Sequence, residues 1–197
     1  MCVMASLIAL TPAFCQPLTQ GERDRALSEL YASRKVFLDS VAGLTEAQWT
    51  FKPAPDVWSI AECAEHIALS EDLIFGMMTR MMASPAEPDK RALTQGKDEA
   101  ILKGLADRSH KFKAPEPLVP SHRWATQAAL IAHFKESRDR TLDYVRTTQD
   151  ALRVHFMDHP VFKTMDAYQL ILLISAHSGR HTAQLNEVKQ KNPGYPK

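Results

Sequence analysis

A chain of 197 residues with 45% hydrophobic and 24% charged side chains has the make-up of one soluble globular domain, long enough to bury a proper core. Its formal net charge of +1 comes with no basic run and no aromatic-basic interleaving, so no nucleic-acid partner is expected. Seven glycines form no phosphate loop and no G-x-S-x-G elbow, which sets nucleotide-binding and serine-hydrolase readings aside.

Residues 1–20 differ from the rest. MCVMASLIALTPAFCQPLTQ holds an apolar run from Cys2 to Leu10 and no charge before Glu22. Ala13-Phe14-Cys15 has small residues at the spacing a signal peptidase prefers, with Gln16 as the first mature residue. No Lys or Arg precedes the run, so an apolar tail or a start codon inside a longer leader are the competing readings. Export to a periplasmic space is the expectation, with a cytoplasmic location as the alternative. The run is too short to span a bilayer, and no later stretch reaches about 18 apolar residues. Cys2 and Cys15 lie in this segment, which leaves Cys63 alone in the body and no disulfide framework. Amid Ile60, Ala64 and Ile67, Cys63 reads as a small core residue rather than a nucleophile or ligand.

From residue 21 onward the pattern predicts four long helices and no period-2 strand. The first runs from about Glu22 to Ala42, buries Leu27, Leu30, Phe37, Leu38 and Val41, and stops at Gly43. A short helical turn over Thr45 to Trp49 leads into Phe51-Lys52-Pro53-Ala54-Pro55-Asp56, where two prolines discourage helix. Ser59 and Glu62 then form a capping box that starts the second helix, which continues to Met82 before Pro85 and Pro88. Trp58, just before the cap, is expected to pack back on the bundle.

The connection from Ser84 to Pro120 is Pro-rich and longer than most. Within it 97–108 can form a short helix with Ile101, Leu102 and Leu105 inward, whereas Ala114 to Pro120 is extended. Such a loop serves as a lid, a site wall or a connector over the bundle's end. The third helix spans about Thr126 to Thr148, with Leu130, Ile131, Phe134, Leu142 and Val145 on one side. Arg138 shares that stripe, either as a salt-bridged or snorkelling arginine or as an anion-binding group. The fourth helix runs from near Thr164 to about Gln190. The expected fold is all-α, an up-down four-helix bundle with a long, partly helical connection between helices two and three.

Chemistry concentrates in the fourth helix. At roughly 100° per residue, Leu170, Ile174, His177, His181, Gln184 and Val188 share one narrow stripe, which meets neighbouring helices. Two imidazoles in a core cost several kcal/mol unless satisfied, and i, i+4 histidines on one face present ring nitrogens to a common metal. His66 in the second helix is the candidate third donor. Three neutral imidazoles plus water make an open site of the catalytic kind. His110, His122 and His133 read as surface residues. His155 and His159 repeat the i, i+4 spacing, but Pro160 argues against helix there.

Two segments carry a resemblance. Trp58-Ser59-Ile60-Ala61-Glu62-Cys63-Ala64-Glu65-His66-Ile67 resembles the W-S-x-x-E-x-x-x-H-[ILV] segment of the DinB/YfiT-like superfamily. His177-Ser178-Gly179-Arg180-His181-Thr182-Ala183-Gln184 resembles its H-x-x-R-H-x-x-Q segment. The Ala114 to Leu118 stretch, Arg138 and His159-Pro160 look like one branch of that family, and the likeness covers about Glu22 to Pro196. It implies a four-helix bundle, often dimeric, with His66, His177 and His181 as ligands to zinc, nickel, iron or manganese, zinc foremost.

Motifs and resemblance together point to a metal-dependent enzyme acting on a small molecule. A divalent ion in an open three-histidine site lowers the pKa of water or of a thiol. The reaction is hydrolysis, or transfer of a low-molecular-weight thiol such as bacillithiol or mycothiol to an electrophile, as in characterised relatives. Those thiol-dependent members are cytoplasmic, and the apolar leader sets this chain apart from them. Arg138 is assigned to an anionic substrate group and Gln184 to a bound oxygen or a structural role. Glu62 is assigned to orienting His66, in competition with its capping box. The rival reading is a non-catalytic protein that holds a metal for stability, or binds an apolar ligand or partner through Met77, Met78, Met81 and Met82, residues that otherwise fill the core. A third reading leaves the histidines hydrogen-bonded without metal.

Overall fold

The computed structural model describes residues 16–109 and 112–197, so the leader reading and His110 lie outside the described residues apart from 16–20. Four long helices form the body: α1 (Gln20–Val41), α3 (Ile60–Met82), α5 (Gln127–Thr147) and α6 (Ala167–Lys191), with short helices α2 (Glu46–Thr50) and α4 (Asp98–Ala106) between them. Local chemistry sets their starts. Thr19 with Glu22, Ser59 with Glu62 and Asp166 with Gln169 each make a reciprocal capping box, and a good N-cap contributes about 1 kcal/mol. Gly43 takes φ +68 beyond α1, a conformation that costs glycine little.

The bundle has two helices running each way, and the structure refines the expected up-down arrangement. Tyr168 donates to the Glu22 carbonyl at one end of α1, and Asn186 donates to Ser40 at the other, so α1 and α6 are parallel. Gln127 bonds the Val41 carbonyl and Arg23 bonds the Thr148 carbonyl, so α5 is antiparallel to α1. His66 meets His177 and His181, whereas Met78 shares a core with Leu170, so α3 runs against α6. Helix α5 therefore starts at the same end as α3. The long connection makes this feasible, because α4 packs along α6 and carries the chain back up.

Two apolar clusters fill the interior. One gathers Leu30, Ile74, Met78, Met81, Ile101, Leu142 and Leu170 to Ile174; the other gathers Phe37, Ile60, Cys63, Ile67, Phe134, Leu185 and Val188. Met77 and Met82 also pack on the first cluster, which supports core filling for the methionines. Between the clusters lies a buried polar layer of Ser33, Ser70, Glu71, Ser137, Arg138, Thr141, Ser175 and Ser178.

One element departs from expectation. β1 (Phe156–His159) and β2 (Lys163–Asp166) form an antiparallel hairpin with Phe156 opposite Asp166, and α6 starts at Ala167 rather than near Thr164. Each strand has four residues, too few for alternation to stand out in a sequence. The turn around Pro160 closes the pair, with Lys163 at φ +59.

Candidate metal centre

His66, on the first half of α3, and His177 and His181, on the second half of α6, lie at the same height because those helices are antiparallel. One ring nitrogen from each lies within 4.8 Å of the other two. Ring centroids are 5.0 Å apart for His66 and His177, 4.3 Å for His66 and His181, and 4.5 Å for His177 and His181. Nitrogens bound tetrahedrally to one zinc at roughly 2.0 Å stand about 3.3 Å apart, so small side-chain rotations close the triad on a cation. His66 is buried and the other two are partly exposed, which leaves one side open.

Two of the rings have their tautomer set. His66 Nδ1 donates to the Leu118 carbonyl at 2.8 Å, and His181 Nδ1 donates to Gln184 Oε1 at 2.9 Å. Each bond leaves Nε2 with its lone pair free for a metal. Burial holds all three imidazoles below the usual histidine range. His66 is lowered by burial, against the pull of its bond to Leu118. For His181 the value falls to about 3, with the His66 charge adding to burial. His177 lies well below its ordinary value for the same reasons, its neighbours being His181 and His66. At neutral pH the site is therefore three neutral nitrogen donors, the form a divalent ion requires.

Trp58 packs as expected, its ring 4.9 Å from His66 and 6.3 Å from His181, and so walls one side of the site. Cys63 is wholly buried, and burial pushes its thiol up to about 12, in keeping with a core role.

Two assigned residues sit elsewhere. Glu62 does not orient His66: its carboxylate accepts from the Ser59 amide at 2.7 Å and from Lys52 at 2.8 and 2.9 Å. The helix start wins because its orphan amide points straight back at a glutamate three residues on. Arg138 does not reach toward a substrate anion. Fully buried, it donates to both Glu71 oxygens at 2.8 and 2.5 Å and also to Leu30 and Ser33. The anion it holds is internal.

Further residues escaped the sequence reading. The Leu118 carbonyl has no side-chain signature. Glu65, 3% exposed, accepts the backbone N–H groups of Ser121 and His122 at 2.9 Å and of Arg123 at 3.2 Å. The sequence does not mark it as a clamp; only the structure shows this acid inside the unbroken buried run Cys63 to Glu71. His133, read as a surface residue, is partly buried and bonds Asp72 at 2.6 Å. A cleft lined by Glu29, Ser33, Leu102, Ser175, Gly179 and Arg180 lies along another face of α6 and includes none of the three histidines.

Comparison with known proteins places this geometry in a family. The sequence model of the DinB superfamily matches residues 29–185. YuaE, an uncharacterised protein of Bacillus subtilis (strain 168), is 26% identical over 153 residues, which span 78% of this chain and 90% of YuaE. The solved structure of Bacillus subtilis YfiT, described as a probable metal-dependent hydrolase with an unusual four-helix bundle topology, is similar with a TM-score of 0.57 at 15% identity, over 88% of this chain and 89% of YfiT. That likeness speaks for the fold. The matched profile, which spans most of the chain, shows that this protein belongs to the DinB superfamily, and its four-helix bundle agrees.

Proposed function

We propose that this protein is a metal-dependent enzyme of the hydrolase type that acts on a small molecule through His66, His177 and His181. The observation that carries the reading is the convergence of three neutral imidazoles from two helices, two of them held by Nδ1 acceptors, at a partly open site. The description of YfiT as a probable metal-dependent hydrolase supports the reaction type. The donor set suits zinc above other divalent ions, with nickel, iron or manganese as alternatives.

Once bound, a divalent ion supplies Lewis acidity that brings the ionisation of a water or thiol toward neutral pH. The protein does the remaining work. Leu118 and Gln184 keep two ring nitrogens aimed at one point. Trp58 excludes water from one flank, and the low proton affinity of the histidines keeps them available as donors. Gln184 has its oxygen committed to His181, so its remaining role toward a ligand rests on the amide N–H group.

The test is elemental analysis of protein purified without a histidine tag. The wild type is expected to carry about one divalent ion per chain and His177→Ala none; full metal content in that variant sinks the assignment. Chelation separates this reading from the non-catalytic one. The two apolar clusters and capped helices do not depend on the ion, so the metal-free protein is expected to stay folded. Collapse of the fold on chelation would instead make the metal structural.

A further inference from the structure

We propose that Glu65 is a positioning residue for the metal centre: by clamping residues 121–123 onto α3, it holds the Leu118 carbonyl that aims His66. The proposal rests on the metal reading above and adds a residue that touches neither ligand atom nor substrate.

Glu65 and His66 are consecutive on α3 and grip the same passing segment. The Glu65 carboxylate takes three successive backbone N–H groups, while His66 Nδ1 takes the Leu118 carbonyl. His122 at φ +59 supplies the left-handed step that turns consecutive amides toward one anion, the geometry of a backbone nest. Three donors leave the carboxylate little capacity for anything else, and at 3% exposure it meets no substrate.

The link between clamp and ligand is short and stiff. Two residues, Val119 and Pro120, separate Leu118 from Ser121, and the proline ring fixes φ. The Leu118 and Val119 amides are tied back to Pro115 and Glu116 at 2.9 and 3.1 Å. Displacement of 121–123 therefore passes directly to the Leu118 carbonyl. Without that acceptor the His66 ring loses the bond that places its proton on Nδ1 and its lone pair on Nε2.

Glu65→Gln tests this, because an amide offers one oxygen to three donors and turns an NH2 group toward the rest. Three readouts are compared with the wild type. In metal-free protein, amide exchange at Ser121 to Arg123 is expected to quicken about tenfold, and the ¹⁵N shifts of His66 to move from the Nδ1–H form toward a mixture of tautomers. Zn²⁺ affinity, measured against a chromophoric chelator, is expected to fall about tenfold. Asp72→Asn is the control: it changes a partly exposed carboxylate on α3 that binds His133, Ser137 and Arg140 and does not hold this segment, and it is expected to leave the tautomer and the zinc affinity unchanged. Pro120→Gly loosens the link alone; amide protection at 121–123 is expected to survive while tautomer order and affinity are lost. Should Glu65→Gln fail to fold, Pro120→Gly and Glu65→Asp carry the test. An unchanged His66 tautomer with zinc affinity within about twofold of wild type overturns the proposal. If the wild type itself binds no zinc, the metal reading fails, and the exchange and tautomer measurements still judge the clamp.

Discussion

Gln184 Oε1 accepts the Nδ1 hydrogen of His181 across 2.9 Å, so one turn of α6 carries both a candidate ligand and the group that sets its tautomer. Removing such a partner typically costs 10- to 100-fold in metal affinity, about the range expected for Gln184→Ala. Thermal stability should change little, because Gln184 is only partly buried. A chelator competition titration checks this. An unchanged affinity would show that His181 is held by packing alone.

The histidine cluster makes the metal-free protein acid-sensitive in a defined direction. Burial lowers the folded-state pKa of His66, His177 and His181 below 6.5, so the unfolded chain binds more protons than the folded one below that pH. Stability is then fully present above about 6.5 and is lost as pH falls, down to about 3 for His181. Each histidine contributes a slope of up to about 1.4 kcal/mol per pH unit in that window. Urea midpoints of the metal-free protein between pH 7.5 and 5 should fall more steeply for wild type than for His181→Gln. Equal slopes would refute the assignment.

Glu62→Ala distinguishes a helix cap from a group acting on the ligand. Loss of the reciprocal bonds with Ser59 should lower stability by about 1 kcal/mol. The Lys52 pair adds little, Lys52 being 41% exposed. Metal content should stay at the wild-type level, and a large loss of metal would return Glu62 to the histidine.

The Arg138–Glu71 pair, 0% and 2% exposed, predicts a steep penalty for half-removal. Arg138→Met strands a buried carboxylate and should destabilise the fold by about 3–5 kcal/mol. Combining it with Glu71→Leu should recover much of that loss, as measured by denaturant unfolding. A mild effect of the single change would mean that the carboxylate finds another partner.

Interactions between near neighbours in the chain were legible without coordinates. Ser59 with Glu62 marked the start of α3, Gly43 marked the end of α1, and the four-residue spacing of His177 and His181 placed both rings on one face of α6. Helical geometry alone dictates these relations. His66 was a candidate third donor on the same terms, but a helix does not announce which neighbour it meets.

Tertiary structure decided the rest, because the deciding partners are far apart in sequence. His66 reaches Leu118 across 52 positions and Arg138 reaches Glu71 across 67. Neither pairing leaves a local pattern, since a backbone carbonyl has no residue identity and a buried arginine looks the same whether its anion is internal or a ligand. Chain direction is of the same kind: α5 runs with α3 because the connection through α4 returns the chain to its starting end. That return brings Glu65, Leu118 and the three imidazoles to one level of the bundle.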